Sequence, residues 1–137
     1  MSKTQAIDIL AFDAVAESEN PIDVKMKGPD GNDTGIIFCV IGKNADAVTQ
    51  WQTKQFNAMQ REAYFAQKKR GKDPEPKTIE ELAEMNIQGA LVRVVGWKNV
   101  SQEFSKDILK KVLERNPHFV EQVIDASDDL GNFTKNA

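Results

Sequence analysis

Cys39 and His118 are the only cysteine and the only histidine in the chain, and together they bound its nucleophilic and metal chemistry. Nucleophilic catalysis needs a base beside the nucleophile. Cys39 lies inside the apolar run Ile36-Ile37-Phe38-Cys39-Val40-Ile41, where burial would keep its thiol neutral and unreactive. His118 falls in the first turn of a predicted helix. A structural zinc site needs several Cys or His ligands, which one of each cannot supply. Neither a Gly-x-Gly-x-x-Gly pattern nor a P-loop is present.

Two charged groups remain as candidates for ligand chemistry. Asp128 and Asp129 would hold a hard cation only incidentally, because adjacent helical side chains point apart and no loop with ligands at alternate positions accompanies them. Lys68-Lys69-Arg70-Gly71-Lys72 would suit a phosphate, but it has no interleaved aromatics and Asp73 and Glu75 follow at once. It reads as a solvated helix end running into a linker broken by Pro74 and Pro76. The sequence therefore predicts a protein that is not an enzyme and holds no cofactor or metal, which leaves a binding or assembly role.

A chain of 137 residues with 40% hydrophobic content suits one core, so a single domain over 1–137 is expected. Charged residues make up 28% of it while the net charge is only −3. Such a balance sets up no field toward nucleic acid or a membrane surface, and proteins are the expected partners. Met1-Ser2-Lys3-Thr4 does not open a signal-type apolar block, and a cytosolic location is expected.

The elements follow from hydrophobic period. Ile7, Leu10, Ala11, Ala14 and Val15 fit a short amphipathic helix within Gln5 to Glu17. Ile22, Val24 and Met26 alternate with charged residues as in a half-buried strand. Gly28-Pro29-Asp30-Gly31-Asn32-Asp33-Thr34 then turns the chain into a second strand, Gly35 to Ile41. A lone two-stranded ribbon is marginal in water, so it needs a covering helix, further strands or a neighbouring subunit.

Four helices are predicted beyond residue 43. The first, about Asn44 to Lys69, carries Val48, Trp51, Phe56, Met59, Ala63 and Ala66 on a stripe expected to be core, with Tyr64 and Phe65 outside its centre. Thr78-Ile79-Glu80-Glu81 is a capping box that starts the second, which is expected to run through Leu91-Val92-Arg93-Val94-Val95 to near Gly96. Ser105 caps the third, with Phe104 stapled on Leu109. Asn116-Pro117 closes that helix and opens the fourth, with Asn116 as cap. Phe119, Val123, Ser127 and Leu130 fall along one line of it with Val120 flanking, and Gly131 is its expected left-handed terminator. The expected fold is α+β, mainly α: a short helix and β-hairpin over 1–43, helices over 44–131 and a frayed tail over 132–137, all in one small domain.

The order of short motifs carries a resemblance. Phe12-Asp13-Ala14-Val15-Ala16 precedes an acidic spacer, the Gly28-Pro29-Asp30-Gly31 hairpin and Phe38-Cys39-Val40-Ile41-Gly42-Lys43-Asn44-Ala45-Asp46. Further on come Val94-Val95-Gly96-Trp97-Lys98-Asn99-Val100, Phe104-Ser105, Leu113-Glu114-Arg115-Asn116-Pro117 and Glu121 to Ser127, leading to Leu130-Gly131-Asn132-Phe133. This succession, spread over nearly the whole chain, resembles the tail assembly chaperones of long-tailed bacteriophages and prophages.

The resemblance implies a homo-oligomeric protein of the bacterial cytoplasm that coats the helical tape measure protein, helps recruit tail tube protein subunits and is absent from the mature virion. Tyr64, Phe65, Trp97, Phe104 and Phe133 are the expected contact residues, since aromatics near helix ends and in connections can reach a partner. For Trp97 and Phe104 an anchoring role in the core fits equally well. The alternative is a head–tail joining protein or a small nucleic-acid-binding structural protein using Lys68 to Lys72.

Overall fold

The computed structural model describes residues 6–70 and 76–134. Among them are five α-helices and one three-stranded antiparallel sheet, an α+β and mainly α arrangement. Met1 to Gln5, Gly71 to Glu75 and Lys135 to Ala137 lie outside the described residues, and with them the start of the first predicted helix, most of the predicted linker and the end of the tail.

The hairpin forms where its period places it. Strands β1 (Ile22–Lys27) and β2 (Asp33–Val40) pair antiparallel with Val24 opposite Phe38 and Ile22 opposite Val40. Alternation puts Met26, Phe38 and Val40 on the buried face. The turn is held by Asp30, whose carboxylate accepts from the Asn32 backbone N–H at 3.0 Å and from its side-chain amide at 3.0 Å. Gly31, at φ +82°, takes the left-handed backbone that the turn requires.

A third strand, β3 (Val94–Lys98), pairs with β2 and places Phe38 opposite Trp97. Here the structure corrects the sequence reading, which carried the preceding helix on to Gly96. The β-branched run Val92 to Val95 is ambiguous by itself. What decides it is the unpaired edge of β2, whose backbone groups β3 satisfies. The need of the ribbon for a further strand is thereby met within the chain.

Before the hairpin, α1 (Ala14–Glu19) is a helix of six residues capped by Asp13, and Ile9–Ala11 is a separate 3₁₀ turn capped by Asp8. After it come α2 (Asp46–Arg70) and α3 (Ile79–Arg93), the latter started by the predicted capping box between Thr78 and Glu81. Helices α4 (Lys106–Arg115) and α5 (Pro117–Asp128) follow β3.

Leu109 and Leu113 of α4 and Phe119, Val120 and Val123 of α5 join Ala90 of α3 and the inner face of the sheet in one core. Phe38 meets Phe119 edge to face at 6.0 Å between ring centroids. Burying ten such residues is the main favourable term for the fold, at roughly 1.5–3 kcal/mol for each large side chain.

Three local expectations change. Asn116 stands at the start of α5 but makes no side-chain cap; its amide donates to Val112 O at 2.8 Å, so it closes α4 instead. Gly131 is not in the left-handed region. Helix α5 stops at Asp128, and Asp129 caps a 3₁₀ turn over Leu130–Phe133 by accepting from Gly131 N–H at 3.1 Å. Phe133 is buried within the expected tail, whereas Leu130 is exposed.

Candidate protein-interaction surface

Helix α2 is 25 residues long and would extend about 37 Å, while the 15 residues of α3 cover about 22 Å. The shorter helix is its main support. Near the start of α2, Trp51 lies against Gly89, where a Cβ would sit 3.2 Å from the indole ring. Farther along, Ala58, Arg61, Glu62, Phe65, Ala66 and Lys69 face the beginning of α3. The two helices thus form an antiparallel hairpin with an open groove of about 700 Å³ between their distal ends.

The stripe predicted as core is only partly buried. Val48 and Ala66 are buried and Trp51 and Ala63 half-buried, but Phe56 is 60% and Met59 49% exposed. Phe56, Met59 and Ala63 succeed one another at three- and four-residue steps, so they share a line on the helix. No other element of the described residues covers that line, because α3 occupies the adjacent face and the sheet lies at the other end of the hairpin. Tyr64 and Phe65 are exposed and meet edge to face at 5.5 Å. Ile79 and Leu82 add exposed apolar surface at the start of α3.

The five residues expected to make contacts divide into two groups. Trp97 packs on Phe104 edge to face at 5.0 Å, its indole N–H donates to Gln102 O at 2.9 Å, and both rings lie half-buried against the core. Phe133 is buried near Gly42. Those three side chains anchor connections inside the chain. Tyr64 and Phe65 alone of the five offer open surface, while Phe56 and Met59 are exposed residues that the sequence reading assigned to the core stripe of α2. Their signal was the length of α2, which exceeds what one small core can cover.

The charged side chains of the groove divide into those with a local partner and those without one among the described residues. Glu62 faces Lys77 at 3.7 Å across it. Glu81 accepts from Thr78 N–H at 3.3 Å within the capping box. Arg61 and Lys69 have no ion-pair partner among the described residues. Lys68 is turned away to Tyr64, donating to its hydroxyl at 3.2 Å with the ammonium 5.4 Å from the ring centroid. Of the predicted basic run, the Arg70 side chain and Gly71 and Lys72 lie outside the described residues.

The residues examined for catalysis stay apart. Cys39 is half-buried on β2, where burial and then the Asp23 carboxylate raise the pKa of its thiol. His118 lies on α5 with its ring 4.6 Å from that of Phe119. Among the described residues no three His, Cys, Asp or Glu side chains come close enough to hold a metal, and no helix is long and apolar enough to cross a membrane. Comparison of the chain with models of protein families, with curated proteins and with solved structures finds no match.

Proposed function

We propose that this protein is a tail assembly chaperone that holds the tape measure protein of a phage or prophage in soluble form while the tail tube is built. The motif succession from Phe12 to Phe133 supports the family, and one structural observation carries the mechanism. A helical hairpin leaves Phe65 exposed in its groove and Phe56, Met59, Tyr64, Ile79 and Leu82 exposed outside the groove lining. Large apolar side chains left in water in this number mark an interaction site.

An amphipathic rod is recognised by laying its apolar stripe into such a groove through anchors at helical spacing. Many copies along one long client add avidity without strong individual contacts. A weak site is suited to this work, because each copy must leave when tube subunits close around the rod.

Co-expression with the cognate tape measure protein tests the reading. Soluble client is expected with the native chain, and much less with Phe56→Glu/Phe65→Glu. Client solubility that does not respond to the chain at all would overturn it. The nucleic-acid alternative predicts salt-sensitive DNA binding that Lys68→Glu/Lys69→Glu abolishes.

A further inference from the structure

A second apolar surface lies without a partner at the other end of the molecule. Ile7, Ile9, Leu10 and Phe12 are between 74% and 87% exposed. Among the described residues only local bonds shape this strap: Asp8 accepts from Leu10 N–H at 3.1 Å, and Phe12 N–H donates to Ile9 O at 3.3 Å. Four large apolar side chains in six residues, all facing water, call for a cover.

Charge and spacing say which surface fits. From Ala6 to Asn20 the chain carries Asp8, Asp13, Glu17 and Glu19 and no lysine or arginine. The α2–α3 groove presents the cations Arg61 and Lys69, unpaired among the described residues, on either side of Phe65, while its carboxylates Glu62 and Glu81 are held by Lys77 and by the Thr78 N–H. Eight helical residues separate these two, or about 12 Å. Asp8 and Asp13 bracket Ile9 to Phe12, and a 3₁₀ turn with extended ends sets them roughly 12 Å apart as well.

We infer that the strap of one copy docks in the α2–α3 groove of a second copy, with Ile9, Leu10 and Phe12 against Ala58 and Phe65, and Asp8 and Asp13 against Arg61 and Lys69. Within one copy the strap lines no part of the groove. Helix α1 is tethered beside the start of α2, where Gly42 N–H donates to Ser18 O at 2.9 Å and Asp46 N–H to a Glu19 carboxylate oxygen at 2.9 Å. Phe65 lies about 28 Å farther along α2. A second copy is free of that tether.

Docked in this way, the apolar strap and the exposed ring of Phe65 in the groove cover each other. The strap then acts as a placeholder that a client with a better apolar stripe displaces. The contact itself concerns strap and groove alone and does not depend on the identity of the client. Loss of client solubilisation with intact self-association would therefore overturn the proposed function and leave this inference standing.

Sedimentation velocity on the full chain tests it, at about 100 μM, where a complex with micromolar Kd is populated. The native chain is expected to sediment as a dimer or larger, with association at least tenfold weaker in high salt. Leu10→Asp/Phe12→Asp removes the strap and Phe65→Glu the groove. Each is expected to be monomeric, with an unchanged circular dichroism melt because every altered side chain is exposed. Mixed in equal amounts, the two variants are expected to form a 1:1 complex from the one intact strap and the one intact groove. Arg61→Glu/Lys69→Glu is a second groove variant that leaves the apolar residues in place and is expected to weaken association equally. A native chain that stays monomeric, including one whose strap folds onto itself, would overturn the inference. Association that survives both sets of variants, or a mixture that fails to pair, would do the same.

Discussion

The guanidinium of Arg93 donates through Nε to Ser127 Oγ at 3.1 Å, and that hydroxyl donates in turn to Ile41 O at 2.8 Å. Arg93 also donates through Nη1 to Gly89 O at 2.8 Å and faces Asp128 at 3.7 Å. The chain of bonds ties the end of α3 to the end of α5 and to the residue that follows β2. Arg93 is 4% exposed and Ser127 fully buried. Desolvation pulls the Arg93 pKa down and Asp128 opposes the shift; the group stays charged at neutral pH.

Ser127→Ala should therefore cost about 1–3 kcal/mol, because it leaves a buried donor of Arg93 and the Ile41 carbonyl without their partner. Chemical denaturation measures the loss. A double-mutant cycle with Arg93→Met should show coupling of roughly 0.5–3 kcal/mol, and additive effects would remove the direct link.

Gly42 sits where the start of the chain meets its end. A Cβ built there would lie 2.6 Å from Ser18 Oγ and 2.8 Å from Ser18 Cβ. Gly42→Ala is expected to destabilise by about 1–3 kcal/mol through overpacking, and Ser18→Gly should relieve most of that. Ser18 Oγ is itself buried without a hydrogen-bond partner among the described residues. Ser18→Ala is expected to match or exceed native stability in thermal melts, since it removes an unsatisfied polar group.

Acid should weaken three surface contacts made by carboxylates, on the sheet, in its hairpin turn and on α3. Lys98 Nζ donates to Asp23 at 2.7 Å and holds that carboxyl below its ordinary pKa of 3.8. The bonds from Asn32 lower Asp30, and the Gln88 amide lowers Glu84. Between each lowered value and the ordinary one the unfolded chain binds more protons, so stability is present above the ordinary pKa and lost as pH falls through the folded one. All three groups are exposed, which makes the effect small and sensitive to salt. The Tm of Asp23→Asn is expected to fall less between pH 5 and pH 3 than that of the native chain.

Cys39 should react slowly with thiol reagents near neutral pH. Burial first, then the carboxylate of Asp23, to which the thiol donates at 3.7 Å, disfavours the thiolate. Labelling is expected to be slower than in the unfolded chain, to rise with pH and to be faster in Asp23→Asn. Fast labelling of the folded native chain at pH 7 would contradict the account.

Much of the architecture is legible in local sequence because local physics decides it. The alternation of Ile22, Val24 and Met26, the capping box at Thr78 and the proline at the start of α5 each act within a few residues, and each element stands where they place it. The role of Val94 to Lys98 was not legible. A β-branched run is compatible with helix and strand, and only the free edge of β2, more than 50 residues earlier, turns it into β3.

The same division holds for the interaction surface. Helical spacing put Phe56, Met59 and Ala66 on one broad stripe, but spacing shows which residues share a face and not whether anything lies against it. Burial depends on the length and placement of other elements. With α3 shorter than α2 and the sheet packed on α5, α2 keeps Phe56, Met59 and Phe65 in water. Sequence determined which side chains could make an apolar surface, and tertiary packing decided which of them the chain leaves open.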